Sequence, residues 1–286
     1  MAVLHATGLT LRYDQRTVIA GLSAGIPEGK VTMIVGANAC GKSTLLRGLS
    51  RLLKPAAGIV ALDGKDIHTR PAREVARTLG LLPQHPTAPD GITVRDLVGR
   101  GRYPHQGVFR SWRAGDSSHH DLAVQRALAA TGTLELAARN VDELSGGQRQ
   151  RVWIAMALAQ ETEVLLLDEP TTYLDLAHQV EVLDLITDLN RTRGTTLAIV
   201  LHDLNLAARY SDHVIAMKDG RIVAEGASGD VITAELVREV FALDSRVVPD
   251  PVSGTPLVIP LGRHHAHSEP VTSAPAGSIP TLELVP

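Results

Sequence analysis

Between residues 2 and 243 the spacing of apolar positions changes several times, and each change marks a new element. VLHATGLTLRY (3–13) alternates loosely, TVIAGLSAGI (17–26) follows, and KVTMIVG (30–36) ends in a β-branched run, so short strands are expected from 2 to 35. STLLRGLSRLL (43–53) then takes helical spacing and carries Gly48 at some cost. GIVALDG (58–64), RTLGLLPQ (77–84), EVLLLDEP (163–170) and TTLAIVLHD (195–203) read as further strands, and Leu176 to Arg193 and Leu204 to Arg209 as helices. Strand–helix alternation of this kind predicts an α/β fold with a largely parallel sheet covered on both faces.

From about Pro86 to Gln160 the strand signals stop. ITVRDLVGRGR (92–102), HHDLAVQRALAATG (119–132) and GGQRQRVWIAMALAQ (146–160) are helical in spacing, which predicts a helical insert within the α/β domain. HVIAMKDGRIVAEG (213–226) reads as a hairpin turning at Asp219-Gly220, followed by a helix over Ala234 to Leu243. The main domain is expected to span 1–248. A C-terminal strand and a Pro-, Ser-, Thr- and His-rich tail fill 249–286, with order fading after about Arg263.

Composition narrows the function by exclusion. The 286 residues are 44% hydrophobic, enough for a full core, and the 28 basic residues against 31 acidic ones leave a net charge of −3. That balance does not support a nucleic-acid partner, and 3% aromatic content argues against base-stacking platforms. One cysteine, Cys40, excludes an intrachain disulfide or a CxxC metal site and fits a cytosolic compartment. Apolar runs such as Val164 to Leu167 fall far short of the ~20 residues a membrane helix needs. The start, MAVLHATGLTLRYD, lacks the features of a signal peptide, so a soluble chain is expected, with any membrane role reached through a partner.

Three motifs carry chemistry. Gly36-Ala37-Asn38-Ala39-Cys40-Gly41-Lys42-Ser43 fits G-x-x-x-x-G-K-[ST] between a strand and a helix, with Thr44 next in that helix. Such a loop turns backbone N–H groups toward the β- and γ-phosphates, Lys42 neutralises phosphate charge, and the Ser43 hydroxyl suits Mg²⁺. Val164 to Pro170 is a buried strand ending in Asp168 and Glu169. Beside a P-loop, Asp168 is placed to hold Mg²⁺ and Glu169 to polarise an attacking water, whereas alone the pair would read equally as a solvated strand end. Leu144-Ser145-Gly146-Gly147-Gln148 opens a long helix, and its exposed N–H groups and hydroxyl read either as a second phosphate-binding element or as an ordinary helix cap.

The P-loop, LSGGQ and LLLDEP occur in that order, and residues 1 to about 248 resemble an ATP-binding-cassette (ABC) ATPase. The resemblance implies a P-loop NTPase core, an N-terminal antiparallel β subdomain and the helical insert. It also implies a dimer in which ATP lies between the P-loop of one subunit and the LSGGQ segment of the other, most simply a homodimer. Position by position, Tyr13 is similar to the aromatic that stacks on adenine, and Gln84 to the glutamine that contacts Mg²⁺ and water and senses the transporter. His202 is similar to the switch histidine that contacts the γ-phosphate, and Asp175 in TTYLD to the acid that communicates across the dimer.

Two departures stand in the loop itself. Position 39 is usually Gly and position 37 often Pro, and both are Ala here, which makes the dihedrals of Ala39 a point of interest. Cys40, near a helix N-terminus, is expected to have a lowered thiol pKa and to be alkylated with loss of activity, the alternative being an inert buried thiol. His264, His265 and His267 read as part of a polar tail rather than a metal site.

Within the family the likeness is to cassettes of iron–siderophore importers, with heme and cobalamin importers close behind. It rests on GKSTLLR (41–47), LLPQ (81–84), TTYLDLAHQVEVLDLI (171–186) and HDLNLAARYSDHVIAMKDGRIVAEG (202–226). The implied partners are transmembrane permease subunits and, indirectly, a solute-binding protein, with the cassette peripheral on the cytoplasmic side of the membrane. An export-pump subunit would share every catalytic motif. A cassette acting on ribosomes or DNA repair would carry paired cassettes, coiled-coil inserts or basic extensions, none of which is present, and a regulatory ATP-holding module is opposed by intact Glu169 and His202.

Overall fold

The computed structural model describes residues 2–106 and 117–262; the histidines at 264, 265 and 267 and the rest of the tail lie outside the described residues. Two sheets are built by different logic. The first is antiparallel, order β2-β1-β4-β5, from β1 (Ala2–Tyr13), β2 (Arg16–Pro27), β4 (Ala57–Leu62) and β5 (Lys65–Asp66). β1 and β2 are not short: each runs 12 residues, kept in pairing by several register shifts that let a long twisted ribbon curve.

The second sheet has the order β10-β9-β3-β8-β7-β6 and comprises β3 (Val31–Gly36), β6 (Leu79–Leu82), β7 (Val164–Asp168), β8 (Thr196–Val200), β9 (His213–Lys218) and β10 (Arg221–Gly226). All neighbours are parallel except β10, which returns antiparallel from β9. The Asp219-Gly220 turn has positive φ at both residues (47° and 74°), the geometry that an Asp-Gly pair accepts.

Alternation along the parallel strands divides the core in two. Val31, Met33, Leu165, Leu167, Leu197 and Ile199 face one side, packed with α5 (Gly146–Ala159), α6 (Leu176–Arg193) and α7 (Leu204–Tyr210). Ile34, Val164, Leu166, Ala198, Ile215 and Met217 face the other, packed with α1 (Lys42–Leu49) and the antiparallel sheet. Strands buried on both faces have no polar side to show, which is why VLLL and TLAIV read as continuous apolar runs.

Between β6 and β7 the described residues contain helices and one isolated bridge, Thr93 to Asn140. α3 (Val94–Arg100), α4 (Ser117–Ala130) and α5 pack on one another as the helical insert. α2 (Ala72–Thr78), which precedes β6, buries only Val75 and so leaves no periodic trace in the sequence. After α8 (Ser228–Val231) and α9 (Ala234–Phe241) come β11 (Ser245–Pro249) and β12 (Pro256–Pro260), which pair with each other. The Asn205 amide bonds the Val258 N–H (2.7 Å) and carbonyl (3.3 Å), and Arg209 pairs with Asp250, so this hairpin is docked on α7. Residue 248 therefore falls inside the hairpin rather than at its edge.

Candidate active site

The strand order places β3, β8 and β7 side by side and parallel, so the residues following all three emerge at one edge of the sheet. Open α/β sheets bind ligands at the carboxyl ends of their strands. Here those ends carry the P-loop, His202 and the Asp168-Glu169 pair.

Gly36 leaves β3 at φ 154°, where a Cβ would collide with the Met217 carbonyl and crowd the Cys40 sulfur. Ala39 holds φ 60° and Gly41 φ 110°, so the chain makes a tight reversal before α1. The Ala39 conformation is the one favoured by glycine, and its Cβ is accommodated at a strain of about 1–2 kcal/mol. The Cys40 carbonyl accepts from the Gly220 N–H at 2.8 Å, which ties the loop to the β9–β10 turn. Lys42 is buried, and its ammonium donates to the Gly36 and Ala37 carbonyls at 2.8 and 3.0 Å, curling over its own loop. α1 starts with no capping side chain, which leaves the N–H groups of its first turn without a side-chain partner at the N-cap.

Ser43, one residue on, donates to Asp168 Oδ1 at 2.9 Å. Burial pushes the Asp168 carboxyl above the usual carboxylate range, while the Ser43 bond pulls it back and the Glu169 charge adds to the rise. A hydroxyl and a carboxylate touching at the mouth of a phosphate loop form a hard-oxygen donor set of the kind Mg²⁺ takes. Glu169 is buried, holds φ 53°, and meets His202 Nε2 at 2.6 Å through Oε1. Thr172 donates to its other oxygen at 3.3 Å.

Tyr13, Asn38, Ala39, Gly41, Lys42, Ser43, Thr44, Gln84, Glu169 and His202 line a single cleft of about 610 Å³. The sequence reading missed Arg16 and Val18, which line it too. Both follow the β1–β2 turn on the ribbon that carries Tyr13, and neither belongs to a motif. Gly36 and Cys40 shape the loop from behind without lining the cleft. The expected acidification of Cys40 is overturned: burial raises its thiol pKa, outweighing the lowering by Lys42, so the residue packs as a small apolar group.

Ser145, Gly146, Gly147 and Gln148 do not line this cleft. Ser145 caps α5 in a reciprocal box: its hydroxyl accepts from the Gln148 N–H (3.3 Å), and the Gln148 side chain accepts from the Ser145 N–H (3.1 Å). Asp175 caps α6, accepting from the His178 N–H at 3.0 Å, on an exposed loop that also holds Tyr173 and borders Gly146. Farther along α5, the Gln150 side chain donates to the Pro170 carbonyl at 2.9 Å, joining that helix to the loop behind Glu169. Within one chain, then, the cleft at the P-loop and the exposed helix start at Ser145 are separate.

Comparison with known proteins gives the family. The ABC transporter family matches residues 19–172. The ferric enterobactin transport ATP-binding protein FepC of Escherichia coli (strain K12) is 55% identical over 92% of this chain and 96% of its own length. The achromobactin transport ATP-binding protein CbrD of Dickeya dadantii (strain 3937) is 54% identical over the same shares. The iron(3+)-hydroxamate import ATP-binding protein FhuC of Bacillus subtilis (strain 168) is 47% identical over 91% and 95%. Among solved structures, a transporter described as of metal-chelate type, in an inward-facing conformation, superposes with a TM-score of 0.77 at 28% identity, covering 92% of this chain and 98% of that one. A dimeric bacterial ABC transporter cassette gives 0.70 at 26%, covering 78% and 98%. Among the described residues no helix is long and apolar enough to cross a membrane. A cleft lined by the P-loop, the family match over residues 19–172 and identities above one half along nearly the whole chain lead to one conclusion: this chain belongs to the ABC transporter family, as one of its ATP-binding, ATP-hydrolysing subunits.

Proposed function

We propose that this subunit energises the import of iron–siderophore complexes through a separate membrane permease, bound to it from the cytoplasmic side. The observation that carries the reading is the identity of 55% and 54% to two siderophore-transport ATP-binding proteins over 92% of the chain. In this reading the cleft handles nucleotide alone, and choice among chelates falls to the permease and its solute-binding protein.

In this reading Lys42 exchanges the Gly36 and Ala37 carbonyls for β- and γ-phosphate oxygens, while the N–H groups of the loop and of the first turn of α1 hold the rest of the triphosphate. Asn38, Gly41 and Thr44 shape that cradle, and Tyr13 stacks on the adenine. Ser43 and Asp168, joined by Gln84, would hold Mg²⁺, which when bound would offset charge on the phosphates. Glu169 orients the attacking water and receives its proton, and His202, already bonded to Glu169, reaches the γ-phosphate. Ser145, Gly146, Gly147 and Gln148 of a second copy close over the triphosphate, with Asp175 at the seam. ATP binding thus favours the closed dimer and hydrolysis releases it, giving the permease two states to follow.

Light scattering on a size-exclusion column tests the core of this reading with the Glu169→Gln variant. A dimer that forms with Mg·ATP and not with ADP supports it, and a chain that binds no ATP removes it. Deleting the gene in its own host and following growth on ferric siderophores under iron starvation tests the solute. Unchanged uptake of every siderophore tried would sink the import assignment while leaving the ATPase in place.

A further inference from the structure

We infer that Arg47 is a positioning residue for nucleotide binding: it fixes the ring of Tyr13 and thereby couples recognition of the base to the helix that holds the phosphates. The inference rests on the proposed stacking of Tyr13 against adenine and extends it.

Tyr13 is the last residue of β1, beside a two-residue turn in which Asp14 takes φ 50°, and it pairs with Arg16. Tyr13 is 40% exposed, at the tip of a ribbon whose residues 12–17 are all exposed. A side chain there would sample several rotamers, and ordering it on binding would cost free energy each time. One bond removes part of that freedom. Arg47 Nη1 donates to the Tyr13 hydroxyl at 3.1 Å. Arg47 lies in the last turn of α1, whose first residues are Lys42 and Ser43, so phosphate cradle and aromatic ring hang from one short helix. The backbone pairing of β1 with β2 fixes the ring's base, and Arg47 fixes its far end. This also gives the phenol oxygen a purpose that phenylalanine could not serve.

Arg47 has a second route of influence, because its charge is close enough to Asp168 to favour the ionised carboxylate. The two routes separate by ligand. An effect through Tyr13 is confined to ligands that carry a base, whereas an effect through charge appears equally with tripolyphosphate.

Calorimetric binding of ATP and of tripolyphosphate to the full-length chain, each with Mg²⁺, decides between them for Arg47→Ala, Tyr13→Phe and the double variant. Losing one neutral-acceptor hydrogen bond of this kind predicts ATP affinity about two- to tenfold weaker in each single variant. The double variant is expected to be no weaker than either single, tripolyphosphate binding to stay unchanged, and KM for ATP to move while kcat at saturation does not. Equal weakening for tripolyphosphate, additive losses in the double variant, or wild-type ATP affinity in Arg47→Ala each overturns the inference. Tyr13→Phe removes a single oxygen and keeps the measurement readable if Arg47→Ala disturbs folding. Tyr13→Ala serves as the control on the underlying reading: wild-type ATP affinity there defeats the stacking assignment itself, whereas a loss there with none in Arg47→Ala defeats only the role of Arg47.

Discussion

His202 Nε2 and Glu169 Oε1 stand 2.6 Å apart, although one residue follows β8 and the other follows the neighbouring β7. Glu169 is buried and left-handed in backbone, so its carboxylate is aimed by the chain, and the half-exposed histidine is held by that carboxylate. On the proposed reading the pair acts as a unit: a shift of His202 toward the γ-phosphate would free the Glu169 oxygen to face water.

Removing either partner is therefore expected to abolish turnover while leaving ATP bound. Glu169→Gln and His202→Ala should each lower kcat by about 10²–10⁴-fold, and the double variant should fall little further. Steady-state ATPase assays at saturating Mg·ATP, alongside equilibrium nucleotide binding, check this. A double variant whose losses multiply would mean that the two act independently.

Ala39 offers a gain rather than a loss. Its φ of 60° carries strain that glycine relieves, against the extra chain entropy a glycine loses on folding, leaving a net gain of about 0.5 kcal/mol. Urea unfolding of Ala39→Gly should show a higher midpoint at unchanged slope, with ATP affinity equal or better. A lower midpoint would mean that the methyl group makes contacts worth more than the strain.

Cys40 should be a poor target for alkylation. Burial keeps it as the thiol at neutral pH, so iodoacetamide is expected to label the folded chain at least about tenfold more slowly than the chain in denaturant at the same pH. Cys40→Ala should retain ATPase activity. Rapid labelling of the folded protein that ATP blocks would reverse this reading of the site.

Asp250 ties stability to acid. Its bond to Arg209, with support from the Val252 N–H, holds its carboxyl at about 2, below the ordinary aspartate range. A depressed carboxyl pKa stabilises the fold fully above about pH 4, and that share disappears as pH falls toward 2. The stability gap between wild type and Asp250→Asn should thus be constant at neutral pH and close progressively between pH 4 and 2. Thermal melts across that range test it, and a gap that does not narrow would mean the charge is not what docks the hairpin.

How far the sequence carried the picture depended on whether a feature was local. Strands buried on both faces announced themselves, because Val164 to Leu167 and Thr196 to Val200 have no polar side. The Asp219-Gly220 turn was legible because its backbone demands those residue types. α2 was not, because seven residues that bury only Val75 carry no period. Arg16, Val18 and Arg47 escaped for a different reason. Arg16 and Val18 line the cleft, and Arg47 reaches Tyr13, only because β1, β2 and α1 meet in space, and nothing in their immediate neighbours encodes that meeting. For Cys40 the sequence left two readings, an acidified thiol at a helix N-terminus and an inert buried one, and the burial that favours the second is a property of the assembled core.

The tie between Cys40 and Gly220 has a consequence for the order in which this protein becomes itself. The Cys40 carbonyl is held by the Gly220 N–H, Gly36 pairs with Met217 with no room between them for a Cβ, and β3 lies between β8 and β9. The P-loop is thus made within the first 43 residues but shaped by residues near 220 of 286. A chain leaving the ribosome N-terminus first has its nucleotide motif early and the geometry of that motif late. Fragments that end before β9 should fail to bind ATP despite an intact motif, and nucleotide capture should begin only as β9 and its turn emerge, making ATP a seal on a nearly finished chain rather than a nucleus for a young one.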